Sequence, residues 1–387
     1  MTSSLRVAMI GHGFMGAAHS QAWSVARRFF DLPLHPEMRL LVGRTGAAES
    51  AAKLGWAESS ADWREAIARD DIDVVDIVTP GDTHAEIAIA ALRAGKHVMC
   101  EKPLANTVAE AEEMTAAAEE ASAHGVRSMV GFTYRRVPAA TFARNLVADG
   151  RLGEIRQVRA EYLQDWLSDA EAPLTWRLQK DRAGSGSLGD IGAHAIDMVE
   201  FITGSPLTSV SGLLETLVSE RPLMSEGVGL SGTASNERGA VTVDDVALFT
   251  GRFGNGALGQ FEATRFRTGR KNAFRFEISG SRGALSFDME RPNELQFYDA
   301  TAPELELGFR RIIVTEAGHP YVGNWWPTGH MLGYEHAFSH QVVDFVTAIA
   351  EGTQPQPSFA EGLHIQRALA AVEASSDAGS AWQTIPS

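Results

Sequence analysis

The feature that most constrains this chain is a glycine-rich turn, Gly11-His12-Gly13-Phe14-Met15-Gly16, close to its start. Ahead of it, Arg6–Ile10 is a short apolar run; behind it, Gly16–Phe30 reads as a helix. In a G-x-G-x-x-G set placed between a strand and a helix, each glycine has a task. One makes the tight turn, one lets the backbone approach a pyrophosphate, and one allows close helix–strand packing. The helix start adds free N–H groups and a partial positive charge. The turn therefore points to dinucleotide binding, with Gly11, Gly13, Phe14, Met15 and Gly16 as its cofactor-facing residues. Outside this context the same glycines would mark only a tightly packed turn.

The next hundred or so residues repeat the strand–helix alternation. Arg39–Val42, Asp73–Thr79, His97–Cys100 and Val126–Val130 read as continuous apolar strands, and Ala85–Ala94 as a helix stopped by Gly95. Thr107 and Glu110 have capping-box spacing ahead of an Ala/Glu-rich helix. Such alternation predicts a parallel sheet covered on both faces. After about Thr133 the pattern changes. Ile155–Asp165, Val246–Phe253, Ala257–Arg265, Ala273–Ser279 and Ala284–Asp288 read as strands. Asn255-Gly256 and Gly280–Gly283 supply hairpin turns. Helices are expected over Leu188–Thr203, Glu335–Glu351 and Gly362–Ser375. The expected class is α/β, with a doubly wound parallel-sheet domain over 1–132. A second α/β domain over 133–387 should hold a large, open, mainly antiparallel sheet.

Composition narrows the partners. Asp and Glu outnumber Lys and Arg by 49 to 34, for a formal charge of −15. An acidic chain without a basic run is a poor candidate for nucleic acid or anionic membranes. No apolar stretch is long enough to span a bilayer, and Met1-Thr2-Ser3-Ser4-Leu5-Arg6 lacks the regions of a secretory signal. One cysteine, Cys100, excludes an intrachain disulfide. The expectation is a cytoplasmic protein.

Three further places carry chemistry. The second strand ends Leu41-Val42-Gly43-Arg44-Thr45. NAD binders usually have a carboxylate there for the ribose. Here Arg44 suits the 2′-phosphate of NADP or the face of adenine, with Thr45 as a hydroxyl donor; equally, it reads as a solvated surface arginine. Glu101-Lys102-Pro103 follows the His97–Cys100 strand at the edge where open parallel sheets bind ligands. An ammonium at that edge suits a developing alkoxide, though a Lys-Pro pair is also an ordinary loop. Asp190, His194 and Asp197 share one face of a helix behind Gly184-Ser185-Gly186-Ser187. They suit proton transfer to or from a hydroxyl, or a capping aspartate and a core histidine. A zinc site is disfavoured, since no Cys or Glu partner joins the pair, and no metal is expected.

Together these motifs resemble the Gfo/Idh/MocA oxidoreductase family. The resemblance rests on Gly11–Gly16, on Thr79-Pro80 with His84, on Glu101-Lys102-Pro103, and on the D-x-G-x-H-x-x-D string from Asp190 to Asp197. It covers essentially the whole chain. Tyr162–Trp166 and Gly184–Met198 are similar to the bacterial levoglucosan and inositol dehydrogenase branch. The resemblance implies a Rossmann domain followed by an α/β domain whose sheet face often forms a homodimer or tetramer. It implies a catalytic role for Lys102, a substrate-site pair in Asp190 and His194, and Trp176-Arg177 near the nicotinamide. Thr79, Pro80, His84 and Glu101 join the cofactor residues. Three positions depart from the family pattern: Gly81 and Thr133, where relatives often carry Asn, and the non-acidic Arg44.

The expected reaction is oxidation of a secondary alcohol on a cyclic sugar or polyol by hydride transfer to NADP or NAD, with Arg44 favouring NADP. His194 is the general base, Lys102 orients the hydroxyl, and Asp190 accepts a neighbouring hydroxyl's hydrogen bond or orients His194. Tyr134, Arg135, Tyr162, Gln164 and Asp165 are the substrate-binding candidates, with Trp166, Trp325 and His336 as further pocket candidates. Three other readings compete: a glycosidase that uses NAD for transient oxidation, a non-catalytic sugar or nucleotide sensor on the same fold, and an imine or biliverdin-type reductase, for which the Asp190/His194 pair is poorly motivated.

Overall fold

The structure, a computed structural model, describes residues 3–228 and 231–386; Met1 and Thr2 lie outside them. The first part of the chain runs β1 (Ser4–Ile10), α1 (Phe14–Phe29), β2 (His35–Val42), α2 (Ala47–Leu54), β3 (Glu58–Ser60), α3 (Trp63–Ala68), β4 (Val74–Ile77), α4 (His84–Arg93), β5 (His97–Cys100), α5 (Val108–Ser122) and β6 (Ser128–Val130). There follow α6 (Pro138–Ala148), β7 (Ile155–Leu163), α7 (Lys180–Ala183), α8 (Ala193–Thr203), β8 (Leu207–Glu215), β9 (Glu220–Val228) and β10 (Ser231–Ala240). Then come β11 (Val246–Phe253), β12 (Leu258–Thr264), β13 (Ala273–Gly280), β14 (Gly283–Asp288), β15 (Glu294–Asp299) and β16 (Arg310–Ile313). The chain closes with α9 (Tyr334–Glu351), α10 (Phe359–Asp377) and β17 (Gln383–Thr384).

Two compact units form. The first holds residues 1–133, 181–183 and 334–366; the second holds 134–180, 184–333 and 367–387. In the first, six parallel strands lie in the order β3-β2-β1-β4-β5-β6. The order reverses between β1 and β4, which puts a crevice at their C-terminal ends. Val7 and Met9 of β1, Val74 of β4 and Met99 of β5 form the core with Trp23 and Ala26 of α1. Phe338, Val342 and Phe345 of α9 pack into the same core. Fully burying each such side chain contributes about 1.5–3 kcal/mol. That apolar face is why α9, late in the sequence, belongs to the first unit rather than to the part of the chain around it.

The second unit carries a nine-stranded sheet, β16-β15-β14-β13-β7-β12-β11-β8-β17. Every pairing in it is antiparallel except β7–β12. Alternation sets its faces. Along β11, Ala247, Phe249 and Phe253 are buried, and Phe249 stacks on Phe261 of β12 at 4.6 Å. The opposite face exposes Leu213, Leu248 and Leu258.

Local signals hold where side chain and backbone agree. The Thr107–Glu110 capping box forms at the start of α5, and α8 ends at Gly204 in the left-handed region. The helix expected over Leu188–Thr203 differs in its first turn, which is a π turn over Leu188–Gly192. Such turns recur at functional sites. Pattern reading passed over β8, β9, β10, β15 and β16. Their runs mix serine, glycine and charge among the apolar residues, which blurs the period-two alternation of a strand.

Candidate active site

The crevice of the first unit is built from backbone. Gly11 has φ 108°, and a Cβ there would stand 2.9 Å from the Val78 carbonyl oxygen. A Cβ on Gly16 would stand 2.8 Å from the Gly11 oxygen. A Cβ on Gly13 would meet open space. Gly13 is also the N-cap of α1, without a side-chain cap, and the first turn of α1 holds no acidic residue. Free N–H groups, room above them and no opposing carboxylate fit a pyrophosphate. Phe14, largely exposed, stacks with Tyr334 at 6.2 Å, and Met15 is half-buried against the core. Arg44 and Thr45 are exposed just past β2.

Two clips hold the edge together. His84 is buried, with Nε2 at 2.9 Å from the Thr79 oxygen and Nδ1 at 3.0 Å from the Pro103 oxygen. It thereby stitches the Thr79-Pro80 turn after β4 to the Lys102-Pro103 turn after β5. The second clip was not foreseen from the sequence. His19 of α1 lies between two carboxylates: Asp76 at 2.9 Å from Nδ1 and Glu101 at 3.1 Å from Nε2. All three are buried. Trp23 Nε1 donates to Asp76 at 2.7 Å, and the Lys102 N–H donates to Glu101 Oε2 at 3.2 Å. Burial alone would push the His19 imidazolium toward neutrality. The two carboxylates outweigh it and hold the pKa up at about 10. The Glu101 carboxylate is thus turned into the unit, and the residue before Lys102 is anchored.

The departures find local explanations. A Cβ on Gly81 would overlap Asn106 Oδ1, so the glycine makes room for that amide. Asn106 Oδ1 is buried without a hydrogen-bond partner among the described residues, while Nδ2 donates to the Arg182 carbonyl at 3.1 Å. Thr133 is buried and donates to Gln341 Oε1 at 2.8 Å.

The second unit gathers side chains from a helix, a strand and the segments between elements. The His194 ring lies on Tyr134 at 4.5 Å and 6.0 Å from Tyr162. The two tyrosine hydroxyls are 3.0 Å apart. Tyr162 and Gln164 both donate to Asn272 Oδ1 at 2.8 Å, and Trp166 Nε1 donates to Gln164 Oε1 at 2.9 Å. So Tyr134, Tyr162, Gln164, Trp166 and His194 come together, with Asn272 as a hub that no sequence motif marked. Asp165 points elsewhere. It accepts from Lys271 Nζ at 2.8 Å and from the Gly269 N–H at 3.1 Å, which hold its carboxyl below the usual range. Arg135 and Asp197 are engaged with each other in a buried pair at 2.6–3.0 Å.

Asp190 is placed by its π turn and by two partners that the sequence did not advertise. Asp244 accepts from the Gly186 N–H at 2.7 Å, Ser187 Oγ at 2.9 Å and the Leu188 N–H at 2.7 Å, capping the entry to the turn. A Cβ on Gly186 would overlap the Asp244 backbone. Arg265, 1% exposed, donates from Nη2 to Asp190 Oδ2 at 2.7 Å and to the Gly186 carbonyl at 3.2 Å. Its Nε and Nη1 have no partner among the described residues. The Arg177 guanidinium lies over Trp176 at 4.4 Å. Burial lowers its pKa, with Asp190 opposing that and Arg265 adding to it. Trp325 is buried beside the half-exposed Trp326, while His336 lies 3.4 Å from Glu335. Among the described residues, no group of three or more His, Cys, Asp or Glu is arranged to hold a metal ion, and no helix is long and apolar enough to cross a membrane.

Comparison with known proteins agrees with this architecture. Residues 5–132 match the oxidoreductase family with an NAD-binding Rossmann fold, and residues 141–286 match the GFO/IDH/MocA C-terminal domain. A levoglucosan dehydrogenase of Pseudarthrobacter phenanthrenivorans is 42% identical over 99% of this chain and 98% of its own. An inositol 2-dehydrogenase of Rhizobium meliloti is 27% identical over 93% of both chains. The crystal structure of an oxidoreductase domain protein from Kribbella flavida superposes with a TM-score of 0.95 at 62% identity, covering 100% of both chains. A levoglucosan dehydrogenase in complex with NADH and levoglucosan superposes with a TM-score of 0.93 at 41% identity, again covering 100% of both. The chain belongs to the Gfo/Idh/MocA family of NAD-binding oxidoreductases.

Proposed function

We propose that this chain is an NAD(P)-dependent dehydrogenase that oxidises a secondary alcohol of a cyclic sugar or polyol, levoglucosan- or inositol-like, to a ketone. The observation that carries the reading is the polar and aromatic cluster around His194. Tyr134 and Tyr162 flank the imidazole, Asn272 links Tyr162 to Gln164, and Asp190 stands on Arg265. Flat walls and many fixed hydrogen-bond partners suit a ring bearing several hydroxyls. The similar levoglucosan dehydrogenase has been solved with NADH and levoglucosan, and with NADH and L-sorbose.

His194 takes the hydroxyl proton as general base, its ring held by the tilted ring contact with Tyr134. Lys102 orients the hydroxyl and stabilises alkoxide character, on a turn anchored through Glu101 and His19. Asp190, paired with Arg265, accepts a hydrogen bond from a neighbouring hydroxyl. Arg135 and Asp165, each engaged with another partner, support the site by holding their segments. A bound nicotinamide would supply the hydride acceptor for the carbinol carbon. Arg44 and Thr45 favour NADP over NAD. The exposed leucines of the nine-stranded sheet suit a homodimer or tetramer, and a cytoplasmic setting suits the cofactor.

The test is a panel of cyclic sugars and polyols that includes levoglucosan and inositol, run with both cofactors and followed by reduced-nicotinamide absorbance. The expected result is substrate-dependent reduction. Cofactor binding without turnover on any member would sink the reading. So would release of free sugar from a glycoside with no net change in absorbance.

A further inference from the structure

The glycine turn contains a side chain that its usual description leaves out. His12 stands between Gly11 and Gly13, and its Nδ1 lies 2.9 Å from Ser50 Oγ of α2. The ring occupies the niche over Gly43, the first residue after β2. A Cβ on Gly43 would overlap His12 Cδ2 and Nε2. The Gly43 backbone has little freedom to move aside. Its N–H donates to the Ser60 carbonyl at 3.0 Å, and the Val42 carbonyl accepts from the Gly11 N–H at 2.9 Å. The end of the second strand is where this fold reads the adenosine ribose, usually with a carboxylate that accepts from the 2′-hydroxyl. Here that place holds an imidazole, and the next two side chains, Arg44 and Thr45, are exposed.

We propose that His12 is the cofactor-selecting residue: its imidazole fills the place of the acidic ribose clamp and, with Arg44, receives a 2′-phosphate. This rests on the dehydrogenase reading above and names the group by which the site reads NADP. The chemistry is a reversal of sign. A carboxylate accepts from a hydroxyl and repels a phosphate. When the Ser50 hydroxyl donates to Nδ1, Nε2 carries a proton and becomes a donor beside a guanidinium, which suits phosphate oxygens. Gly43 follows from the same arrangement, since the ring and a side chain at 43 compete for one volume.

The coupling makes the proposal testable by binding alone. The full chain and its variants His12→Ala, His12→Gln, Gly43→Asp and His12→Ala/Gly43→Asp are titrated with NADP+ and with NAD+ by calorimetry, without substrate. Unfolding midpoints serve as the folding check. His12→Ala should lower NADP+ affinity about tenfold to a hundredfold, the size of one charge-assisted hydrogen bond. NAD+ affinity should change by less than about threefold. His12→Gln, which keeps a donor, should lie between the wild type and His12→Ala for NADP+. Gly43→Asp should weaken both nucleotides, because carboxylate and ring contend for the niche. The double variant should recover NAD+ binding and prefer NAD+ over NADP+. Equal effects of His12→Ala on the two nucleotides, or tighter NAD+ binding by Gly43→Asp alone, would overturn the proposal. If the wild type binds neither nucleotide, the dehydrogenase reading fails as well, and the absorbance panel registers that failure separately.

Discussion

The crevice at the C-terminal edge of the parallel sheet and the cluster around His194 are built from different materials. The crevice is backbone: Gly11 at φ 108°, Gly16 pressed on the Gly11 carbonyl, and an uncapped helix start at Gly13. The cluster is side chain: Tyr134, Tyr162, Gln164, His194 and Asn272 converge from separate elements through hydroxyl, amide and ring contacts. A backbone site asks for what a residue lacks, so its signature is local and dense in glycine. A side-chain site asks for partners far apart in the chain, so its signature is scattered.

The comparison can be broken in several ways. The largest stability effect is expected at the His19 clip, where the crevice depends on buried charged side chains. His19→Ala leaves Asp76 and Glu101 buried without their shared cation, which should cost about 3–5 kcal/mol of stability in urea unfolding. The pH dependence has a definite sign. The folded chain holds the His19 proton to about 10, against 6.5 for the free imidazole. Its contribution is therefore complete below 6.5 and is lost as pH rises through about 10. The stability difference between wild type and His19→Ala should shrink over that window. A difference that stays constant from neutral to strongly alkaline pH would deny the buried cation.

Next in size is Arg265→Met, which removes the partner of Asp190 from the cluster. With Asp190 binding substrate rather than transferring the proton, KM for the polyol should rise about tenfold to a hundredfold with kcat little changed. Arg265→Lys should restore part of the loss. A fall in kcat at constant KM would move Asp190 into the proton-transfer step. The smallest effects separate two glycines of one turn. Gly11→Ala forces a side chain into the left-handed region against Val78 and should cost about 1–3 kcal/mol in thermal or urea unfolding. Gly13→Ala, which meets open space in the free protein, should leave stability within about 0.5 kcal/mol while weakening cofactor binding. Equal stability losses at both positions would mean that the turn serves packing alone.

What was legible in the sequence follows the same division. Glycines, caps and apolar periodicity report local geometry, so the parallel sheet, the Thr107 capping box and the helix stop at Gly204 could be read directly. The motif positions of Lys102, Asp190 and His194 were visible, because their spacing is local. Their partners were not. Asn272 and Arg265 lie 108 and 75 residues from the Gln164 and Asp190 they meet, and no short window joins them. His19 and Asp76 looked like ordinary helix and strand positions, since a polar residue inside an apolar run shows its purpose only when its partner is in view. That Tyr334–Gln366 groups with the first unit was not legible, for a related reason. An amphipathic helix shows that it has an apolar face without showing which core receives it.

The most direct measurement is His194→Ala, followed in two ways on the same preparation: calorimetric binding of NAD+ and NADP+, and polyol-dependent reduction of each. The backbone crevice and the side-chain cluster should separate. Cofactor affinity should stay within about threefold of wild type, while turnover falls by about 10²–10⁴, the range of a lost general base. Near-normal turnover in the folded variant would contradict the assignment of the chemistry to this cluster.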